Sequence, residues 1–333
     1  MKNRLGLFVK LFISLVVIGL LIYKINFKEL LETIRFMSWY SFPLFFGAVI
    51  LFHFIGTINL KILFGGLNTK IKFRELLKYS AISRSLSSFL PGKLGEGFLI
   101  YLLKKKEIEY GKSTSVLLVD KIISLIVISI VSICGFFIFL NSSLALKISI
   151  FLVTTIILIF TLITSKKIKN FIKRVILRKH AILFAGFSTY FMLMLRERKK
   201  TLFLNLVFTV LLLLALSYLL KIVMNYLGAD VPLLYVLAIQ SIGMLVAQIP
   251  ISFSGLGIRE FAVVQLYQTI GVDSHISGGV YLLLAFFSYL SAGLILLYYT
   301  KEINIKATKV EPEDSNQEKA KEESKEEKNE NTH

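Results

Sequence analysis

The feature that most constrains this chain is a series of apolar runs, each close to 20 residues long. An α-helix rises about 1.5 Å per residue, so such a run spans a hydrocarbon core of about 30 Å. Because lipid cannot hydrogen-bond an exposed backbone, runs of this kind are typical of transmembrane helices. The sequence therefore predicts an all-α, polytopic transmembrane helical bundle with about six full spans. The predicted spans are 5–23, 41–60, 114–140, 147–164, 202–224 and 277–299.

The composition agrees with a membrane protein and argues against a nucleic-acid partner. The chain is 55% hydrophobic, with a mean hydropathy of +0.72, whereas soluble domains are about 45–50% apolar. The net charge is +18, but the basic residues lie in the loops between the apolar runs. Cytoplasmic orientation and anionic lipid surfaces both select for basic loops. We therefore expect a multi-pass protein of the plasma membrane, with lipid rather than nucleic acid as its partner.

Three regions of the chain differ in composition. Residues 1–300 contain the apolar runs and form one predicted transmembrane domain. Within it, residues 166–200 carry eleven Lys or Arg against one Glu, which predicts a basic cytoplasmic segment that is partly an amphipathic helix. Residues 301–333 carry seven Lys and ten Asp or Glu, so we expect a disordered charged tail. The positive-inside rule then places both termini in the cytoplasm.

Two stretches, 81–103 and 233–270, interrupt the series of full spans. Both flanks of 81–103 are strongly basic, so this stretch should enter the membrane and return on the cytoplasmic side. The same reasoning has 233–270 enter and return on the outer side. We predict that each is a re-entrant helical hairpin. The first would have arms at 81–90 and 94–103, whereas 233–249 is long enough that a full crossing stays open.

The predicted elements repeat in the same order with opposite direction. One half consists of span 41–60, a hairpin and span 114–140, and the other of span 202–224, a hairpin and span 277–299. Inverted repeats with discontinuous helices are typical of secondary transporters, whose substrate site lies where the repeats meet. The pattern therefore predicts an inverted repeat with a site at the two hairpins.

Charged side chains are rare within the apolar stretches. A charge at the bilayer centre costs about 2.5–3.5 kcal/mol, so such residues should face a cavity or one another. The candidates for lipid head-group contact or transport are Arg84, Lys93, Glu96, Asp120, Arg259 and Glu260. No metal or cofactor is expected, since the four histidines are scattered along the chain without metal-ligand spacing.

The two hairpin tips share a pattern of small residues, then a basic residue, an acidic residue and Phe. The predicted tip backbone consists of Pro91, Gly92, Gly95, Pro250, Gly255 and Gly257. We interpret Lys93 and Arg259 as phosphate contacts, and Glu96 and Glu260 as their partners or as proton carriers. A buried ion pair that fixes each hairpin is the structural alternative.

Two further features leave alternatives open. Asp120 could pair with Arg84 or Lys121, or it could be an interfacial charge near a helix end. The serines at positions 83, 85, 87 and 88 suit a polar cavity and equally suit close packing of helices by small residues.

The segments FLPGKLGEGF, VDKIISL and IPISFSGLGIREFAVVQLYQTIGV, in this order and spacing, resemble the transmembrane region of lysylphosphatidylglycerol synthases, a flippase-like family. The resemblance covers about residues 5–300. It implies a membrane protein that handles anionic phospholipids or polyprenyl-phosphate-linked intermediates. In the full synthases a soluble domain transfers the aminoacyl group from tRNA and the membrane part moves the product lipid. We do not expect the transferase activity to carry over, because no soluble domain is recognised here.

The sequence thus leaves three functions open. The first is translocation of an anionic phospholipid or lipid-linked intermediate across the bilayer, which is transport rather than catalysis. The second is a membrane component of a lipid-modifying system, such as phosphatidylglycerol lysyltransferase or polyprenyl-linked glycan synthesis, with a soluble enzyme partner. The third is a membrane scaffold without transport.

Overall fold

The computed structural model describes residues 41–90, 95–165, 186–249 and 255–299, together with residue 35. Within these ranges the regular structure is helical, without strands. The helices are α1 (Ser41–Gly66), α2 (Phe73–Phe89), α3 (Phe98–Lys104), α4 (Tyr110–Phe139), α5 (Ser142–Thr164), α6 (Phe187–Glu197), α7 (Lys199–Tyr226), α8 (Leu233–Val246), α9 (Ile258–Gln268) and α10 (Ser274–Tyr298).

Five of these helices, α1, α4, α5, α7 and α10, are long and apolar enough to cross a membrane. They confirm the all-α polytopic prediction and correspond to five of the six predicted spans. The sixth, 5–23, lies outside the described residues. Most of the helices extend beyond the predicted runs, because a helix continues as long as its backbone hydrogen bonds do. In α1, for example, the helix runs six residues past the predicted end at position 60.

The spans carry apolar side chains on the outside and small polar side chains inside. Phe151 of α5 is 73% exposed and Ile50 of α1 is 66% exposed. In contrast, Ser113 and Ser132 of α4 and Ser217 of α7 are fully buried. Such a surface is stable when its surroundings are hydrocarbon, and small residues inside allow the helices to approach closely.

The helices α1, α4 and α7 form the centre of the bundle, since each of the three packs against the other two. Helix α8 packs against α4 and α7, and α6 packs against α4 and α7. Helix α10 joins through its side chains: the ring of Phe287 stacks on Phe45 of α1, with their centroids 5.6 Å apart.

Two helical hairpins accompany the spans. Helices α2 and α3 pack against each other, as do α8 and α9. The 14 residues of α8 extend about 21 Å, less than a hydrocarbon core of about 30 Å, which favours the re-entrant alternative. The predicted arms of the first hairpin had the wrong lengths. Helix α2 has 17 residues, because the polar segment before the apolar arm continues the helix, and α3 has only seven.

A salt bridge closes the base of the first hairpin. Lys106 Nζ donates to Glu75 Oε1 at 2.7 Å, joining the start of α2 to the loop after α3. This hydrogen bond lowers the pKa of the Glu75 carboxyl and raises the pKa of Lys106. Both side chains are well exposed, so the pair contributes little stability by itself.

The order of helix, hairpin and helix occurs twice, as α1, α2–α3, α4 and as α7, α8–α9, α10. Helix α1 packs on α2, and α7 packs on α8 in the equivalent place. The opposite orientation of the two halves in the membrane stays a prediction. The predicted amphipathic stretch around 171–177 and the charged tail 301–333 lie outside the described residues.

Candidate functional site

A cavity of about 200 Å³ lies where both hairpins meet the central spans. Its walls come from α1, α2, α7, α8, α9 and α10. Most of the lining is apolar, and two side chains carry a positive charge: Arg84 from the first hairpin and Arg259 from the second. The cavity therefore brings together one predicted site residue from each hairpin.

Arg84 lies against α1. Its Nη1 donates to the carbonyl oxygens of Phe52 and His53, both at 3.4 Å, and its guanidinium carbon is 5.2 Å from the centroid of the Phe52 ring. Gly56 leaves the room for this arrangement, because a Cβ at that position would be 2.5 Å from both terminal guanidinium nitrogens. Among the described residues no carboxylate lies within 4 Å of Arg84. Its charge is therefore compensated only by carbonyl dipoles, the ring and more distant carboxylates.

Arg259, the second residue of α9, has a similar environment. Its Nη2 donates to Gln240 Oε1 at 3.4 Å, and its guanidinium carbon is 5.8 Å from the centroid of the Tyr281 ring. The Tyr281 hydroxyl donates to the same Gln240 oxygen at 3.0 Å, which holds the amide in place. Arg259 Nε is buried and has no hydrogen-bond partner in the part of the chain that the structure describes. The partly buried Arg259 guanidinium therefore has an N–H group that could donate to a ligand.

The two tip carboxylates do not pair with these arginines. Glu96 forms a salt bridge with Lys121 of α4 at 2.7 Å, and Glu260 Oε2 accepts from the backbone N–H of Gly257 at 2.8 Å. Glu260 is buried and caps the N-terminus of its own helix, where the helix dipole favours a negative charge. Among the described residues Glu260 therefore forms no ion pair with Arg259 within 4 Å, and its alternative role as a proton carrier stays a prediction. Glu96 ties the first hairpin to α4, but its ion pair with Lys121 is partly exposed and is not the buried pair of the structural alternative.

Asp120 forms neither of the two ion pairs that the sequence left open for it. Its Oδ1 accepts from Asn205 Nδ2 of α7 at 3.1 Å. Lys121, one of the two possible partners, forms a salt bridge with Glu96 instead. Arg84 is close enough to interact with Asp120 electrostatically, but not within ion-pair distance. Asp120 lies in the interior of α4, ten residues from its first residue, Tyr110, and not at the helix end.

The geometry can bind an anion. Two cations with spare donors face one cavity, and apolar walls exclude water, which strengthens their attraction for a negative group. Arginine presents several donors in a planar fork that matches phosphate and carboxylate oxygens. The described residues contain no group of three or more His, Cys, Asp or Glu placed to hold a metal ion.

The sequence model described as "Lysylphosphatidylglycerol synthase TM region" matches residues 7–295. The chain belongs to this family. The match includes all the residues that line the cavity, and with the five apolar spans it establishes an integral membrane protein. Comparison with curated proteins and with solved structures finds no match.

The backbone of the two hairpin tips lies partly outside the described residues. Pro91, Gly92, Lys93 and Pro250 lie outside the described residues. Gly95 packs directly on the backbone of α2 near Ser87, so a Cβ there would overlap main-chain atoms. Gly255 (φ +83°) packs on Ala247, because a Cβ added to Gly255 would lie 2.8 Å from the Ala247 Cα. Gly257 also has φ +83°, a left-handed value that favours glycine.

The serines of α2 divide between the two alternatives. Ser85 and Ser88 line the cavity. Ser83 is buried and its Oγ lies 2.9 Å from the carbonyl oxygen of Gly95 and 3.0 Å from that of Glu96, so it ties the two arms of the hairpin together.

Three residues of the site were missed at the level of sequence: Gln240, Tyr281 and Asn205. Gln240 is the single amide of α8 and Asn205 is an amide within the apolar part of α7, and both are buried. An unpaired amide in a membrane span is costly, so each of these positions was a signal for an interior polar contact.

Proposed function

We propose that this chain translocates an anionic lipid, either a phospholipid or a polyprenyl-phosphate-linked intermediate, across the bilayer. The observation that carries the proposal is the cavity lined by Arg84 and Arg259, neither of which has a carboxylate within 4 Å among the described residues. Both arginines are partly buried, and a partly buried cation without a nearby counter-ion carries a desolvation cost. A phosphate in the cavity would offset that cost at both arginines.

The remainder of the cavity suits the rest of a lipid. Leu44, Val49, Leu216 and Leu284 are among the aliphatic side chains of its wall. These side chains would contact the glycerol and upper chain region, while Ser85 and Ser88 offer hydroxyl groups to a head group. Pockets of this kind combine apolar walls with a few polar groups that fix orientation.

The two arginines come from different hairpins, which supports a translocation pathway rather than a static lipid site. If the hairpins are re-entrant from opposite sides, a phosphate held by both arginines is reached from either leaflet by movement of one hairpin. Alternating access around a fixed central site is the common scheme for transporters built from inverted repeats. Lys93 would add a third cation at the first tip.

The experiment is transbilayer movement of fluorescent phosphatidylglycerol and phosphatidylcholine in proteoliposomes that contain the purified full-length chain. The variants are Arg84→Gln and Arg259→Gln. The matched control is Arg74→Gln, since Arg74 is an exposed arginine on the same helix as Arg84. Wild type and control should move phosphatidylglycerol faster than phosphatidylcholine, and each variant should lose about tenfold, which corresponds to about 1.4 kcal/mol.

Two outcomes would contradict the proposal. Equal rates in wild type, Arg84→Gln and Arg259→Gln would show that the arginines do not hold the lipid. No movement of any anionic lipid, including a polyprenyl phosphate, would favour a membrane component that depends on an enzyme partner, or a scaffold.

A further inference from the structure

A second polar cluster lies where α1, α4 and α7 pack together. Asp120 Oδ1 accepts from Asn205 Nδ2 at 3.1 Å. The same nitrogen is 3.5 Å from the backbone carbonyl oxygen of Asn59, and Asn59 Nδ2 donates to Thr209 Oγ1 at 3.1 Å. Three central helices thus contribute a carboxylate, two amides and a hydroxyl to one connected group.

Two oxygens of this cluster have no partner. Asn59 Oδ1 and Asn205 Oδ1 are buried, and neither has a hydrogen-bond partner within the described ranges. Asn59 is 4% exposed and Asn205 is fully buried. A buried acceptor left unsatisfied costs about 1–3 kcal/mol, so two of them in one cluster call for an explanation.

The hydrogen bonds fix which end of each amide is the oxygen. Thr209 Oγ1 already donates its proton to the backbone carbonyl of Asn205 at 2.8 Å, so it can only accept from the side chain of Asn59. Asn205 places its side-chain nitrogen between two acceptors, the Asp120 carboxylate and the backbone carbonyl of Asn59. Exchanging oxygen and nitrogen in either amide would break these bonds. The unpartnered atoms are therefore acceptors.

The charge of Asp120 is also incompletely compensated. The charged groups that act on it are Lys121, Arg84 and Glu96. Lys121 is engaged with Glu96 at 2.7 Å, so that pair is neutral as a unit. Arg84 lies against the carbonyls of Phe52 and His53, beyond ion-pair distance from Asp120.

We propose that Asp120, Asn59 and Asn205 form a binding site for Na⁺. A carboxylate with neutral amide oxygens is a ligand set of hard oxygen donors, which suits an alkali or alkaline-earth cation. One carboxylate balances a single positive charge, so a monovalent ion neutralises Asp120. A divalent ion would leave one charge in excess in a medium of low dielectric constant. Three helices meet at the site, so an occupied site would hold their relative positions.

The location of Arg84 couples this site to the cavity, an inference that rests on the proposed function. Arg84 interacts electrostatically with Asp120 and also lines the cavity. An anionic head group bound to Arg84 would offset the positive charge that stabilises the Asp120 carboxylate. A bound Na⁺ would supply a positive charge in its place. The two ligands should therefore raise each other's affinity by the same factor. Na⁺ and the anionic lipid would bind, and move, together.

The first test measures equilibrium binding of ²²Na⁺ to the purified full-length chain in detergent without added lipid, with choline chloride holding the ionic strength constant. Wild type should bind Na⁺ saturably, and Asp120→Asn should weaken binding at least about tenfold. Asn59→Ala is the second variant, because it removes an unpartnered oxygen and leaves the Asp120–Asn205 hydrogen bond intact. Asp230→Asn is the control, since Asp230 is an exposed carboxylate, 87% accessible.

The results separate this site from the proposed function. Absence of saturable Na⁺ binding, or equal binding by wild type and Asp120→Asn, would overturn the site. Added phosphatidylglycerol should raise Na⁺ affinity in wild type and not in Arg84→Gln, and no effect in wild type would overturn the coupling. Lipid movement that responds to a pH gradient and not to Na⁺ would identify the ion as a proton and overturn Na⁺. Na⁺ binding that is intact in a chain that moves no lipid would count against the proposed function alone.

Discussion

At the scale of single residues, the position of Arg84 depends on a glycine in the neighbouring span. The guanidinium occupies the space where Gly56 lacks a side chain, next to the carbonyls of Phe52 and His53. A large cation can lie this close to a helix backbone only where a side chain is missing. The glycine therefore positions the proposed phosphate contact without touching the lipid.

Gly56→Ala tests this positioning. The added Cβ would displace the end of a flexible side chain, which costs little, and alanine in a helix interior gains about 0.5–1 kcal/mol over glycine. We expect thermal stability to be retained or raised while movement of phosphatidylglycerol falls about tenfold, or about 1.4 kcal/mol. Gly47→Ala on the same helix is the control, since nothing lies within 4 Å of a Cβ there. Full transport by Gly56→Ala would contradict the role of Arg84.

Glu260 offers a separate prediction about a carboxylate. It accepts from the N–H of Gly257 and is buried, so its first role is to cap α9. Glu260→Gln keeps an acceptor and should lose less than about 1 kcal/mol, whereas Glu260→Ala leaves a buried donor unsatisfied and should lose about 1–3 kcal/mol. Thermal unfolding in detergent measures both. Equal destabilisation by the two changes would mean that the negative charge itself, rather than the cap, holds the hairpin.

At the scale of elements, the first hairpin closes around a backbone contact. A Cβ on Gly95 would overlap the main chain at Leu86 and Ser87, and backbone cannot rotate away as a side chain can. We expect Gly95→Ala to destabilise the chain by about 1–3 kcal/mol, the usual cost of overpacking. Gly97→Ala, two residues away in open space, is the matched control. Thermal unfolding that is the same for both variants would show that the hairpin arms do not pack this closely.

The existence of the helices could be predicted from the sequence, but their contacts could not. Apolar runs predict spans because length and hydropathy are properties of the local sequence. Pairing is a property of the packed bundle: Glu96 meets Lys121, 25 positions along the chain, and Asp120 meets Asn205, 85 positions along. Nothing in the local pattern specifies these partners. Arg84 and Arg259 could be named as candidates by their cost in lipid, but their shared cavity required the fold.

The predicted helix boundaries were less accurate than the predicted helices, for a physical reason. A hydropathy run ends where polar residues begin, but a helix continues while its backbone hydrogen bonds continue. Helix α2 therefore begins at Phe73, eight residues before the predicted arm. Helix α3 instead begins after the start of its predicted arm, at Phe98, because the residues from Gly95 to Gly97 form a tight turn before it.

At the scale of the whole molecule, the repeated order of helix, hairpin and helix goes with a prediction that the two hairpins enter the membrane from opposite sides. The prediction is that the loop after α3 is cytoplasmic and the loop between α7 and α8 is external. Because Cys134 is the only cysteine, Cys134→Ser gives a background for single reporters. Asp230→Cys should react with an impermeant maleimide on intact cells, and Lys105→Cys only after permeabilisation. Labelling of both from the same side would contradict the inverted repeat.

The central claim, that an anionic lipid places its phosphate between the two hairpins, is tested most directly by photocrosslinking. Phosphatidylglycerol and phosphatidylcholine, each with a photoactivatable group near the head group, would be crosslinked to the purified chain and the adducts mapped by mass spectrometry. We predict that phosphatidylglycerol adducts concentrate on cavity residues such as Ser88, Met244 and Ser288, and that Arg84→Gln with Arg259→Gln removes them. Adducts confined to outward-facing residues such as Phe151, or the same pattern for both lipids, would contradict the claim.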